Sequence, residues 1–213
     1  MKNFKGAIFD LDGTLLDSMN LWCEVDEAFF SSRNLVMPAN YANTIAPMGF
    51  YRAALYSKEE FNLSESVEEI IDEWNSLALK KYENEIELKK GAKEYLFHLK
   101  QNGVKLAIAT ANDKRLFLSC LKRHSIIDLF DNITTLSEVN RGKGFPDIYE
   151  KAATKMGLKN NECVVFEDIY AGIKGAKDGN FKAICIKEET AFDDKEKIEL
   201  ICDRYIESFL DMM

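Results

Sequence analysis

The chain has no Cys-x-x-Cys pair: its five cysteines, Cys23, Cys120, Cys163, Cys185 and Cys202, are odd in number and widely spaced. Neither a disulfide framework nor a zinc site is indicated, and the cysteines read as small buried hydrophobes. A surplus of basic residues is missing too. Lys and Arg number 28 against 36 Asp and Glu, for a net charge of −8. That balance excludes a nucleic-acid partner, whose phosphates must be neutralised by many cations. A small anionic ligand stays open wherever a local cation overrides the global field. No stretch is long and apolar enough to span a bilayer, and Met1 to Phe9 carries no signal-peptide apolar region. A membrane partner is therefore excluded, and a reducing cytoplasm is the expected setting. Internal repeats and low-complexity tracts are absent. The two histidines, His98 and His124, fall in helical patterns away from every motif below and read as surface or packing residues.

What the chain does have is material for one substantial core and a smaller second one: 213 residues, 46% of them hydrophobic. Short apolar runs recur at Gly6–Phe9, Lys105–Ala111, Asn132–Leu136, Cys163–Phe166 and Lys182–Ile186, and each but the last is followed by a helical pattern. Continuous rather than alternating hydrophobicity implies strands buried on both faces, as in a parallel sheet. The helices are punctuated as expected. Gly91–Asn102 ends at Gly103, and Pro146–Met156 opens with proline and ends at Gly157. Alternating strands and helices predict a doubly wound, Rossmann-like α/β domain, with its chemistry beyond the carboxyl ends of the strands.

Between Leu16 and Lys90 the period changes. No buried strand is expected there; apolar residues recur at Trp22, Val25 and Phe29, and again at Val67, Ile70, Ile71, Trp74 and Leu77. This predicts an all-helical insertion over residues 17–90, with residues 1–16 and 91–213 forming the α/β core. Ser66 with Glu69 can make a capping box, and Pro47-Met48-Gly49 marks a turn. Trp22, Phe29, Phe30 and Trp74 read as the insertion's own core rather than as a pocket.

Four strand ends carry the chemistry. Asp10-Leu11-Asp12-Gly13-Thr14 puts two carboxylates where the first strand stops, and both can face one cavity. One can attack phosphorus while the other protonates the leaving oxygen. Thr110-Ala111-Asn112 offers a hydroxyl, an amide and backbone N–H groups to phosphoryl oxygens, although a Thr or Asn after a strand also serves as a helix N-cap. Lys143 lies between Gly142 and Gly144, just before Pro146-Asp147-Ile148-Tyr149. Glu167-Asp168 ends a further apolar run, and oxygen ligands of that kind suit magnesium. Acids at a helix N-terminus are also favoured by the helix dipole alone.

Taken in order, these segments resemble the four motifs of the haloacid-dehalogenase-like hydrolases, over nearly the whole chain. The resemblance implies Asp10 as nucleophile and Asp12 as general acid and base. It implies Thr110, Ala111, Asn112 and Lys143 as phosphate-binding groups. Mg²⁺ would be held by Asp10, the Asp12 carbonyl and Asp168, with Glu167 as a direct or outer ligand. The family often has proline after the lysine; Gly144 stands there and is expected to loosen the loop. The insertion resembles the helical cap of the subgroup that includes β-phosphoglucomutase and phosphoglycolate-phosphatase-like enzymes, where cap movement closes the site. Gly49 and Arg52 resemble the cap loop of the mutases that act on β-glucose phosphates and are candidate substrate contacts. The implied function is hydrolysis of a small phosphorylated metabolite, by a monomer with a dimer open. A mutase is the alternative, weakened because Trp22 stands where the glucose-phosphate mutases carry histidine. A phosphate-binding regulator without activity is the second alternative.

Overall fold

The computed structural model describes residues 4–45, 48, 50–189 and 194–213. The chain packs as two compact units, one of Met1–Met19 with Ile86–Met213 and the other of Asn20–Glu85.

The first unit is built on strands that bury nearly every side chain: β1 (Gly6–Phe9), β4 (Lys105–Thr110), β6 (Cys163–Glu167) and β7 (Lys182–Ile186). With β5 (Asn132–Thr135) and β8 (Arg204–Ile206) they form a six-stranded parallel sheet in the order β5-β4-β1-β6-β7-β8. The period of two sorts the side chains between two layers. Ile8, Ala107, Ala109, Val165 and Ala183 pack with Tyr149, Ala152 and Ala153 of α7 (Asp147–Met156), Ile173 and Ala176 of α8 (Tyr170–Asp178), and Ile198 of α9 (Lys195–Ile201). Phe9 stacks on Phe166 at 4.6 Å, and Tyr95 of α5 (Ala92–Gln101) and Phe209 close over these rings. Elements cover both faces, as a doubly wound sheet requires. Strand order reverses beside β1, between β4 and β6, so the carboxyl ends of these strands flank a topological switch point.

Four elements, two strands of a ribbon among them, lie outside the sequence reading. Strand β8 and helix α9 follow β7, where no helix was read. A two-residue antiparallel ribbon, β2 (Leu16–Asp17) with β3 (Glu87–Leu88), brackets the insertion. Strands of two or three residues are too short to leave a periodic trace.

The second unit is helical: α1 (Leu21–Ser32), α2 (Tyr41–Ile45), α3 (Phe50–Glu60) and α4 (Val67–Asn84). Ser66 caps α4 with the reciprocal Glu69 bonds, 3.1 and 2.7 Å. Phe29, Phe30 and Trp74 are buried against one another, whereas Trp22 is exposed. Arg33 lies over the Phe29 ring and pairs with Glu65 and Glu73. Among the described residues, no helix is long and apolar enough to cross a membrane.

Candidate active site

Asp10 is the first residue past β1, and its N–H donates to the Phe166 carbonyl at 3.0 Å, extending the ladder between β1 and β6. The chain then folds back on itself: the Leu11 carbonyl accepts from Leu15 and Leu16, and Gly13 takes φ +82°. Only glycine suits that turn, because a Cβ there would also collide with the Asp168 carboxylate. The close approach lets Thr14 donate its hydroxyl to Asp168 Oδ1 at 2.9 Å.

The two motif carboxylates occupy different surroundings. Asp10 is buried and ion-paired through Oδ1 with Lys143, whose ammonium also donates to Glu167 Oε1 at 2.7 Å. Asp12 instead accepts from two neutral groups, Ser18 Oγ at 2.7 Å and Asn112 Nδ2 at 2.8 Å. Thr110 ends β4 with its hydroxyl buried, accepting from the Asn112 N–H at 3.0 Å. Neither Thr110 nor Asn112 caps the next helix. Asp113 does so, accepting from the Arg115 N–H at the start of α6 (Lys114–Arg123). Ala111 is exposed in the same turn. Beside Asn112 a cavity of about 290 Å³ opens, walled in part by Lys114, Thr135, Ser137 and Glu138.

Lys143 reaches inward from a turn closed by the Phe145 N–H on the Gly142 carbonyl, with Arg141 paired to Asp147 and resting over the Phe145 ring. The loop lies hard against α8. A Cβ on Gly175 would collide with the Lys143 carbonyl and come within 2.9 Å of the Phe145 carbonyl, whereas one on Gly144 would meet nothing within 4 Å.

One ligand atom each from Asp10, Glu167 and Asp168 lies within 4.8 Å of the others. Three buried acids face one ammonium. Burial pushes the Asp10 carboxyl well up; Lys143 opposes this, and Glu167, Asp168 and Asp12 reinforce it. Burial likewise moves Asp168 to about 7, helped by Glu167 and resisted by Lys143 and the Thr14 hydroxyl. Burial works against the Lys143 charge, but Asp10 and Glu167 outweigh it, so the ammonium keeps its proton. Asp168 Oδ2 and Glu167 Oε2 are buried without a hydrogen-bond partner among the described residues. Excess negative charge and orphaned oxygens are what a hard divalent cation satisfies, so this donor set fits one.

The structure thus gathers Asp10, Lys143, Glu167 and Asp168 in one cluster, and ties Asp12 to Asn112 and Thr110 beside it. Arg52 is exposed on α3 of the helical unit. Pro47 and Gly49 lie outside the described residues. Sequence reasoning missed three groups: Thr14, Ser18 and Tyr149, whose buried hydroxyl donates to Glu167 Oε1 at 2.8 Å. Thr14 sits within the first motif and Ser18 four residues beyond it, and both could have been tested as donors from their spacing. Tyr149 belongs to the Pro146-Asp147-Ile148-Tyr149 stretch after Lys143, where the sequence assigns its hydroxyl no role.

Residues 7–186 match the family model of the haloacid dehalogenase-like hydrolases. Hexitol phosphatase A of Escherichia coli K12 is 33% identical, over 79% of this chain and 76% of that protein. A phosphorylated carbohydrates phosphatase of Thermotoga maritima is 24% identical, over 84% of this chain and 83% of its own length. Among solved structures, β-phosphoglucomutase of Clostridium difficile aligns with TM-score 0.72 at 17% identity, covering 99% of this chain and 93% of that one, a likeness of fold alone.

Proposed function

Since the chain belongs to the haloacid dehalogenase-like hydrolase family, we propose that it is a magnesium-dependent phosphatase that takes phosphate from a small metabolite through a phosphoaspartate at Asp10. The observation that carries the reading is the Lys143 ammonium seated between Asp10 and Glu167, with Asp168 within the same cluster of acids. That arrangement keeps one carboxylate close to a fixed positive charge, where an incoming phosphoryl group is also attracted.

In the first step an Asp10 oxygen attacks phosphorus in line, the bond from phosphorus to the alcohol oxygen breaks, and Asp12 gives that oxygen its proton. In the second, Asp12 takes a proton from water as the water oxygen attacks phosphorus. The bond to Asp10 then breaks, phosphate leaves, and both acids return to their starting forms. Thr110, Asn112 and the Ala111 N–H supply donors to the phosphoryl oxygens from the end of β4. Asp10, Asp168, Glu167 and the Asp12 carbonyl would hold Mg²⁺, which when bound screens the charge accumulating on the transferred group. The cavity beside Asn112 offers room for the alcohol part. Likeness to hexitol and carbohydrate phosphatases favours a polyol or sugar phosphate there. A cytoplasmic setting and a monomeric state belong to the same proposal.

The purified chain is assayed for phosphate release from p-nitrophenyl phosphate and from a panel of sugar and polyol phosphates, with magnesium and with chelator. The expected result is magnesium-dependent release that Asp10→Asn lowers by at least about 10³-fold. Two outcomes overturn the reading: no release across the panel, or conversion of β-glucose 1-phosphate to its 6-phosphate without free phosphate when bisphosphate activator is present.

A further inference from the structure

The Tyr149 hydroxyl takes no part in the steps above, yet it ends on the charged cluster. Tyr149 lies in the first turn of α7 with its ring wholly buried, packed in the sheet-facing layer beside Phe181. Phenylalanine would serve that packing equally well, and a buried hydroxyl is costly unless it is bonded. Here it donates to Glu167 Oε1 at 2.8 Å, the same oxygen that accepts from Lys143 at 2.7 Å. The other oxygen, Oε2, has no donor among the described residues and is wedged against the bare Cα of Gly172, where any Cβ would collide with the carboxylate.

Glu167 is therefore clamped from both sides, by two donors on one oxygen and by the α8 backbone behind the other. The clamp matters because Lys143 spans the gap between Glu167 and Asp10. If Glu167 turns, the ammonium loses one of its two anchors and is free to swing away from the Asp10 oxygen. A bond to an ionised acceptor is directional and roughly twice as strong as one between neutral groups, which suits the hydroxyl to hold the carboxylate in one orientation.

We propose that Tyr149 is a positioning residue: by fixing the Glu167 carboxylate it holds the Lys143 ammonium against Asp10, and so sets where phosphoryl charge is met. The kinetic consequence rests on the phosphatase reading, whereas binding of a tetrahedral anion does not. Two measurements are therefore made on wild type, Tyr149→Phe, Lys143→Met and the double variant, all with magnesium: turnover of p-nitrophenyl phosphate, and calorimetric binding of orthovanadate. Thermal unfolding is followed in parallel.

Tyr149→Phe is expected to lower kcat about tenfold with KM within about twofold, and to weaken orthovanadate binding by a similar factor. In the Lys143→Met background the same substitution is expected to change neither, because its effect passes through the ammonium. The proposal is overturned if Tyr149→Phe lowers only the unfolding temperature, or if its loss is equally large without Lys143. Should wild type release no phosphate, the phosphatase reading fails, and the orthovanadate cycle alone decides the role of Tyr149. Absence of orthovanadate binding to wild type overturns both.

Discussion

The Asn112 amide donates to Asp12 Oδ2 at 2.8 Å, although the two residues are 100 positions apart. The parallel pairing of β1 with β4, Phe9 beside Ile108, brings both strand ends to one edge and makes the bond possible. Asp12 is thereby held by neutral donors while Asp10, two residues away, faces an ammonium. Two carboxylates in different surroundings can take different roles. Replacing Asn112 by Ala is expected to lower kcat by about tenfold, a part of the roughly 10²–10⁴ that a positioned acid and base provides. Steady-state kinetics check this, with the unfolding temperature as the control for folding.

Lys143→Met removes the only cation bonded to Asp10 among the described residues and leaves two buried carboxylates facing each other. Breaking a buried pair from one side costs about 3–5 kcal/mol. The loss is expected to be larger at pH 8 than at pH 5, because burial already raises the proton affinity of Asp10, and protonation at low pH relieves the repulsion. Urea unfolding at the two pH values measures the difference.

Burial raises the Asp168 carboxyl to about 7, with Glu167 adding to the shift and the Lys143 ammonium opposing it. A cation binding there has to displace the proton below that pH and meets a ready carboxylate above it. Magnesium affinity is expected to fall about tenfold per pH unit below 7 and to level off above it, and the raised Asp10 acts in the same direction. Calorimetric titration between pH 5.5 and 8 tests this. A flat profile would remove Asp168 from the ligand set, and Asp168→Asn is expected to weaken binding throughout and to leave only the pH dependence that Asp10 contributes.

Asp26, on the buried face of α1, is raised by burial from 3.8 to about 7. Its folded-state value lies above its unfolded one, so as pH climbs the unfolded chain gives up this proton first. The group therefore costs little stability below about pH 4 and its full penalty above about pH 7. Asp26→Asn is expected to match wild type near pH 4 and to be more stable at pH 8, by roughly 1–3 kcal/mol. Equal unfolding free energies at pH 8 would refute it.

Much of the molecule was legible in the sequence because the signals are local. Strands β1, β4, β6 and β7 are buried on both faces, so each is a continuous apolar run, and the acids, Thr110 and Asn112 stand just where those runs end. Gly157 and the Ser66–Glu69 box likewise end and begin helices by bonds that span a few residues. The tertiary structure alone decided which acid shares Lys143, that Asp12 is held by Asn112 and Ser18 instead, and that the Tyr149 hydroxyl reaches Glu167. Those contacts depend on strand order and on glycines at 13, 172 and 175, where the lack of a Cβ lets side chains and loops approach closely. Local propensity acts over a turn of chain, whereas an ion pair between residues 10 and 143 exists only because the sheet brings their separate segments together in space.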